Sequence, residues 1–406
     1  MKKVLIYSLL LVAGLFGSQV IPHGADGSAP LPVQLATMAA LAFIMVHVGY
    51  EFEMDKARPR KYAWDGFVAM TAATLPWLLC ALYFVFVMAD PAEWWTAEAW
   101  EGALLRGLFA APTSAGVLFS MLAAAGLAAT WLFKKARVLA IFDDLGTVLL
   151  IIPLKAMLLG PRWQLMAVVA VMAALLWLAW RYLHAVRLPV TWAWVLGYAA
   201  AITAASELIY LASKVIDQTV PVHIEVLLPA FVLGCVMARP AGTDCHADDA
   251  TEGVEEGPES PDEQRVSTLV SACFMVLVGL SMPPIFGPAP AGAAAGAAGP
   301  GWGAISMHVL AVTVLSNLGK MFPLLCYRRE ASTRERLALS VGMFPRGEVG
   351  AGVLVVSLSY GFAGPALTVA VLSLALNLLC TGLFILVVKR LIATKVKEEI
   401  SVPVPV

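Results

Sequence analysis

Apolar runs, each long enough to cross a bilayer, recur along the whole chain and are separated by short polar segments. Hydrophobic residues make up 60% of the 406 residues and charged residues 14%, against about 45–50% and about 25% in a soluble domain. A helix of roughly 17–25 apolar residues spans the hydrocarbon core. The sequence therefore predicts an all-α polytopic membrane protein. About twelve transmembrane helices are predicted, over residues 4–21, 31–53, 62–88, 101–128, 134–158, 162–184, 190–214, 222–238, 266–284, 303–327, 335–360 and 364–389.

Basic residues fall in alternate loops between these spans. Loops after even-numbered spans are rich in Lys and Arg, as at 56–61, 134–137 and 328–336, whereas loops after odd-numbered spans have almost none. Because positively charged loops stay in the cytoplasm, both termini are predicted to be cytoplasmic. We expect a multi-pass protein of the inner or plasma membrane. The regular series of spans also favours an uncleaved first helix over a signal peptide.

Two segments between predicted spans have compositions that cannot build a core. Residues 240–264 carry nine acidic side chains and are predicted to form an acidic cytoplasmic loop. Residues 287–303 are rich in Ala, Gly and Pro and are predicted to form a flexible external loop. Neither segment is a domain, so residues 1–406 are predicted to form a single transmembrane domain.

Two adjacent acids, Asp143 and Asp144, lie inside the fifth apolar run. An ionised carboxylate in an apolar medium is costly unless it is paired, and such residues within a bilayer indicate a functional site. Lys320, in the tenth span, lies ~12 Å before Arg328, and the two acids lie ~9 Å after Arg137, on the same side of the membrane. These comparable depths make the aspartate pair the nearest candidate counter-ion. The open alternative is that Lys320 snorkels to the interface.

Two predicted spans are interrupted by Pro and Gly. The fourth contains Pro112, followed by Thr113 and Ser114, and the eleventh contains Pro345 and Gly347. Backbone groups freed by such breaks must be satisfied by protein, water or ions. Interrupted spans at corresponding places in two halves point to a transporter site built from inverted repeats. The fourth and eleventh spans occupy corresponding places in the two halves of the chain. Two ordinary kinked helices would give the same pattern.

Further charges lie on or near the eleventh span. Arg346 and Glu348 are two residues apart there, and Glu207 lies on the seventh span. These three side chains can pair with one another. A structural network that ties down the broken backbone and a role in transport both remain open for them.

Several of these segments together resemble the monovalent cation/proton antiporters, and most closely the bacterial sodium/proton exchangers of the second cation–proton antiporter branch. Residues 142–146, FDDLG, resemble the paired-aspartate motif of that family. Residues 111–117, APTSAGV, and 345–349, PRGEV, resemble segments of its two crossing helices. Residues 49–53 and 228–234 are similar to further family segments, and the similarity covers nearly the whole chain.

The resemblance implies the site residues and their roles. Asp144 would be the principal ion and proton carboxylate, and Asp143 the partner that forms a salt bridge with Lys320. Thr113 and Ser114 would line the point where broken helices 4 and 11 cross, with Pro112, Pro345 and Gly347 at the breaks. The resemblance also places Arg346 and Glu348 in a charge network of the broken helices.

The resemblance also implies the activity. A secondary active antiporter would exchange Na⁺ or Li⁺ for H⁺ and serve pH homeostasis; it is no enzyme and needs no cofactor. We expect a homodimer in the lipid bilayer, with no nucleic-acid partner. Na⁺ and the proton would compete at Asp144, since a carboxylate cannot coordinate the metal while it holds the proton. An aspartate pair with a lysine resembles the electrogenic members of the family.

Other functions fit the same sequence pattern. A K⁺/H⁺ antiporter of the same fold is one, because ion choice depends on cavity size. A cation channel or a membrane sensor that has lost transport would keep the apolar spans and the buried charge. An intramembrane aspartyl protease is disfavoured, because its two acids must share a proton and adjacent residues of one helix diverge.

Overall fold

The regular secondary structure of a computed structural model of the chain is entirely helical within the residues it describes, which confirms the all-α fold class. One isolated bridge joins Val186 to Met237. The described residues are 2–22, 24, 29–50, 52, 59–160, 163–216, 226–238, 261–282, 301–359 and 364–401. The α-helices in these ranges are α1 (Lys2–Ser18), α2 (Leu31–Tyr50), α3 (Pro59–Tyr83), α4 (Ala97–Gly107), α5 (Ala115–Ala124), α6 (Trp131–Leu159), α7 (Trp163–Arg181), α8 (Trp192–Ile216), α9 (Leu227–Val236), α10 (Pro261–Leu280), α11 (Trp302–Gly319), α12 (Phe322–Leu325), α13 (Thr333–Gly342), α14 (Glu348–Ser359) and α15 (Pro365–Ser401).

Seven helical segments of the described chain are long and apolar enough to cross a membrane, which indicates a membrane-embedded protein. They are Leu31–Tyr50, Arg60–Met88, Ala97–Ala124, Trp163–Arg181, Trp192–Val215, Trp302–Leu325 and Pro365–Ala393. The other predicted spans correspond to helices that are shorter, interrupted or more charged. Helix α6, for example, has 29 residues but carries both aspartates in its middle. The count of twelve spans therefore stays a prediction.

The two predicted loops lie largely outside the described residues. Of the acidic loop 240–264, residues 261–264 are described, and they form the start of α10 rather than a loop. Of the Ala/Gly/Pro segment 287–303, only residues 301–303 are described, where α11 begins. Pro261 at the first position of α10 explains its early start, since proline is well suited to the first turn of a helix.

The chain divides into two compact units, a subdivision that the single-domain prediction did not include. Unit 1 comprises residues 1–34, 56–160 and 275–406, and unit 2 comprises 35–55 and 161–274. Each unit is assembled from segments that are distant in sequence. Both interrupted spans and both aspartates belong to unit 1.

The core of unit 1 forms where α3 packs against α4, α6 and α11. A methyl group on Gly319 of α11 would lie 2.4 Å from the backbone nitrogen of Pro76 on α3, so these helices are in backbone contact. An apolar cluster beside this contact supports the end of α4 and the residues that follow it. Its buried members are Ala73, Trp77, Leu108, Ala111, Leu150, Leu154 and Val353.

Helical structure stops at two places within unit 1. After α4, one 3₁₀ turn ends at Ala110, and residues 111–114 are non-helical before α5 begins. Ser114 caps α5, its Oγ accepting a hydrogen bond from the Val117 amide. Residues 343–347 separate α13 from α14 in the same way. We call residues 111–114 the first break and residues 343–347 the second break.

In unit 2, α2 and α9 are in backbone contact at two glycines. A methyl group on Gly49 would lie 2.1 Å from the Phe231 carbonyl oxygen, and one on Gly234 would lie 2.1 Å from the Val46 carbonyl oxygen. Small residues allow such close packing between membrane helices. Glycine is therefore required at both positions by the approach of the opposite backbone.

We expect Gly49→Ala to destabilise the protein, because its methyl group would force the α2 and α9 backbones apart. Overpacking of this kind costs about 1–3 kcal/mol. The measurement is thermal unfolding of the purified protein in detergent. Gly197→Ala on α8 is the matched control, since a methyl group there meets nothing within 4 Å. Equal unfolding temperatures for the two variants would contradict the close approach.

Candidate functional site

Lys320 and Asp143 form a fully buried ion pair. Lys320 follows the last residue of α11, and its Nζ lies 2.8 and 2.7 Å from the two carboxylate oxygens of Asp143 on α6. Both side chains have 0% relative exposure. The lysine is therefore paired inside the protein and does not snorkel to an interface. A third hydrogen bond, from Nζ to the Ala111 carbonyl oxygen at 2.5 Å, joins the pair to the first break.

Asp143 also binds the backbone of the first break. Its Oδ2 accepts a hydrogen bond from the Thr113 amide at 2.8 Å. Pro112, immediately before, has no amide hydrogen to donate. The carboxylate thus satisfies a backbone donor that the missing helical turn leaves free, while it neutralises Lys320. One side chain of α6 holds both the opposite charge and the broken backbone in place.

The two breaks are hydrogen-bonded to each other. The Ser114 amide donates to the Pro345 carbonyl oxygen at 2.9 Å, and the Thr113 hydroxyl donates to the Met343 carbonyl oxygen at 3.0 Å. A methyl group on Gly347 would lie 3.0 Å from Ser114 Oγ, so only glycine fits there comfortably. Backbone groups of the two breaks therefore satisfy one another.

Arg346 crosslinks the second break to two helix ends. Its guanidinium donates to the carbonyl oxygens of Ala110, Ser316 and Phe344 at 3.0–3.2 Å, and to Asn317 Oδ1 at 2.9 Å. Carbonyl groups at a helix C-terminus lack helical donors and carry partial negative charge, which favours a cation there. Arg346 has 0% exposure, and its hydrogen bonds explain how this charge is buried.

The remaining predicted network residues are placed as follows. Glu207 lies partly buried on α8, in unit 2. Glu348 is the first residue of α14, but its side chain lies outside the described part of the structure. Sequence reasoning missed Asn317, a partner of Arg346. The available signal was an amide side chain in an apolar helix, three residues before Lys320.

Asp144 lies beside this ion pair with only 7% exposure, and both of its carboxylate oxygens are buried. It also interacts electrostatically with Lys320. Successive helix residues point about 100° apart, so Asp143 and Asp144 have different surroundings. Among the side chains that the structure describes, the site holds two carboxylates, Asp143 and Asp144, and two cations, Lys320 and Arg346. With every group ionised, these formal charges balance.

The described residues contain no group of three or more His, Cys, Asp or Glu side chains arranged to hold a metal ion. A hard monovalent cation at this site would therefore need hydroxyl and backbone carbonyl oxygens beside the carboxylates. The two breaks provide such groups inside the protein. Among them are the hydroxyls of Thr113 and Ser114, both of which are buried residues. Unwound backbone carbonyls serve this purpose in membrane transporters.

A second charged cluster binds the start of α6 to α3. Lys135 Nζ lies 3.0 Å from Asp65 Oδ1 and 3.0 Å from Glu330 Oε2. The Tyr327 hydroxyl donates to Asp65 Oδ1 at 2.7 Å, and Lys135 also lies over the Tyr327 ring, 4.3 Å from its centre. These four residues, the Asp65 cluster, fix the position of the helix that carries Asp143 eight residues later.

Tyr327 has an unusual backbone conformation. Its φ of 49° lies in the left-handed region, which a bulky side chain rarely adopts. A tyrosine hydroxyl has an ordinary pKa of about 10. The hydroxyl therefore keeps its proton and remains a donor to Asp65 throughout the neutral pH range.

We expect Lys135→Met to destabilise the protein by about 3–5 kcal/mol, because it leaves the buried Asp65 carboxylate without its cation. Thermal or denaturant unfolding in detergent measures the loss. Lys134→Met is the matched control, since Lys134 is the preceding residue of α6 and is exposed. If both variants unfold alike, the Asp65 cluster does not stabilise α6.

A scan against protein-family models found no match to the chain, and a search of curated proteins found none either. The structure by itself defines the general class. Over the described ranges its regular structure is all-helical, and several of the helices have membrane length. A buried lysine–aspartate pair lies beside two hydrogen-bonded breaks in its helices.

Proposed function

We propose that the protein is a secondary active Na⁺/H⁺ antiporter of the monovalent cation/proton antiporter family. The buried Lys320–Asp143 pair, hydrogen-bonded to the first break and adjacent to Asp144, is the observation that carries the proposal. Ionisable groups at membrane depth mark ion and proton pathways. Discontinuous helices are where transporters of this kind bind their ions. Here both features occur in the same few residues.

The charge balance of the site favours exchange over simple conduction. Two carboxylates, one lysine and one arginine are the charged side chains described at the site, so among them an entering Na⁺ adds an uncompensated positive charge to a buried site. Such a charge is costly. If Asp144 starts protonated, its proton leaves as Na⁺ binds; if both acids start ionised, Lys320 must lose its proton instead, and in either case the net charge of the site is unchanged. Arginine keeps its proton in proteins, so Arg346 remains a fixed charge. Cation binding and proton release are thereby coupled.

In the proposed cycle, Asp144 exchanges the proton for Na⁺, and Asp143 holds or releases Lys320. Oxygens of Thr113 and Ser114 complete the coordination of the ion. The hydrogen bonds between the two breaks support broken helices that cross, as in an inverted repeat. All of these residues belong to unit 1, which we propose moves as one body to give alternating access. Twelve spans, cytoplasmic termini and a homodimer belong to the same proposal.

We expect Asp144→Asn to abolish Na⁺-driven proton movement, because an amide can neither bind nor release the proton. The assay is cation-induced dequenching of a pH dye in proteoliposomes, with Na⁺, Li⁺ and K⁺ compared. Asp90→Asn is the control, since Asp90 lies in an exposed turn and asparagine also caps helices well. Full activity of Asp144→Asn would exclude Asp144 as the exchanging carboxylate. A response to K⁺ alone would indicate K⁺/H⁺ exchange.

Transport is expected to be electrogenic, with more than one proton exchanged per Na⁺, since both the aspartate pair and Lys320 can change protonation. An inside-negative potential, imposed with a thiocyanate gradient, should then alter the initial rate of Na⁺-driven dequenching. Collapse of the thiocyanate gradient is the control. Rates that do not respond to the potential, together with transport that generates none, would show electroneutral exchange.

A further inference from the structure

Three buried polar side chains form a row on α15. Ser373, Asn377 and Thr381 are each four residues apart and therefore share one face of the helix. Their exposures are 0%, 0% and 1%. Polar side chains are expensive at membrane depth and concentrate at functional places. None of the three was part of the predicted site.

Contacts on either side of Asn377 place it at the level of the second break. On one side, a methyl group on Gly350 would lie 3.1 Å from Leu374 Cδ1. On the other, the rings of Phe344 and Phe384 lie 5.3 Å apart. Asn377 lies between Leu374 and Phe384 along α15, so it is level with the residues between Phe344 and Gly350.

The row also faces α11, which carries Lys320. The Ser373 hydroxyl lies 2.9 Å from the Thr313 hydroxyl, and α11 packs along α15. Ser316, one turn after Thr313, accepts from Arg346 through its backbone carbonyl. Arg346 belongs to the second break, which lies level with the stretch of α15 from Leu374 to Phe384, so Asn377, one turn after Ser373, lies on the side of that residue toward the charged site.

The orientation of the Asn377 amide follows from its neighbours. Its Nδ2 donates to the Ser373 backbone carbonyl oxygen at 3.1 Å. A carbonyl can only accept, so the amide nitrogen must face Ser373 and the oxygen must point away. This Oδ1 is buried and has no hydrogen-bond partner among the described residues. A buried acceptor left in that state is destabilising and requires an explanation.

We infer that Asn377 Oδ1 is a further ligand for the transported monovalent cation. An amide oxygen accepts but does not donate, and it is a neutral, hard ligand of the kind that replaces water around alkali cations in channels. It adds coordination without adding negative charge, which suits a site whose formal charges already balance. This inference rests on the proposed antiport.

The test compares Asn377→Leu with Thr381→Val in the full-length protein. Leucine has a similar size but no oxygen. Thr381 lies one turn further along the same face, and its hydroxyl already donates to the Asn377 backbone carbonyl. Two quantities are measured for each variant: the Na⁺ concentration for half-maximal dequenching in proteoliposomes, and that for half-maximal thermal stabilisation in detergent, with choline as the reference cation.

For Asn377→Leu, both half-saturating Na⁺ concentrations should rise about tenfold, which corresponds to about 1.4 kcal/mol, and Thr381→Val should stay within about twofold of wild type. The unfolding temperature of Asn377→Leu in choline should not fall, because leucine removes the unsatisfied acceptor. Asn377→Ala is measured in the same way if the leucine variant does not fold.

The possible failures are distinct. A wild-type Na⁺ dependence in both Asn377 variants, with a change only in unfolding temperature, would overturn the ligand role and leave a structural one. A similar loss of Na⁺ affinity in Thr381→Val would also overturn it, since the effect would not depend on the amide oxygen. If the wild-type protein itself gives no response to Na⁺, Li⁺ or K⁺, the proposed antiport fails, and the inference about Asn377 fails with it.

Discussion

The positive charge on Lys320, buried at 0% exposure, is the constraint on which the arrangement of unit 1 depends. Removing an ammonium group from water costs several kcal/mol, and the structure must compensate for it. Asp143 supplies the opposite charge, and the Ala111 carbonyl supplies a further acceptor. Both groups hold that position only if α6, α11 and the first break come together. The ion pair and the break are therefore one structural unit.

The two breaks are stable because backbone groups that lack a helical partner form hydrogen bonds between the breaks. The Thr113 amide donates a hydrogen bond to Asp143, and the Thr113 hydroxyl and the Ser114 amide donate to carbonyl oxygens of the second break. Arg346 then neutralises the carbonyl ends of neighbouring helices. Groups freed from a helix in this way can also coordinate an ion. The structural solution and the proposed transport site consequently use the same atoms.

Hydrogen-bond satisfaction distinguishes the Asp65 cluster from Asn377. In the Asp65 cluster, lysine, tyrosine and two carboxylates satisfy one another, and the cluster fastens α6 to α3. The Asn377 oxygen is equally buried but has no such partner among the described residues. The first pattern accounts for stability. The second is the one expected of a group reserved for a ligand.

Local composition determined the features that the sequence alone predicts: helical segments of membrane length, the positions of Pro112 and Pro345 in two of them, and the comparable depths of Asp143 and Lys320. Periodicity could not decide which aspartate pairs with Lys320; that assignment came from a family resemblance. The partners of Arg346 and the place of Asn377 were decided by tertiary structure alone. These contacts join segments tens to hundreds of residues apart, and only the packing of α6, α11 and α15 around the two breaks brings them together.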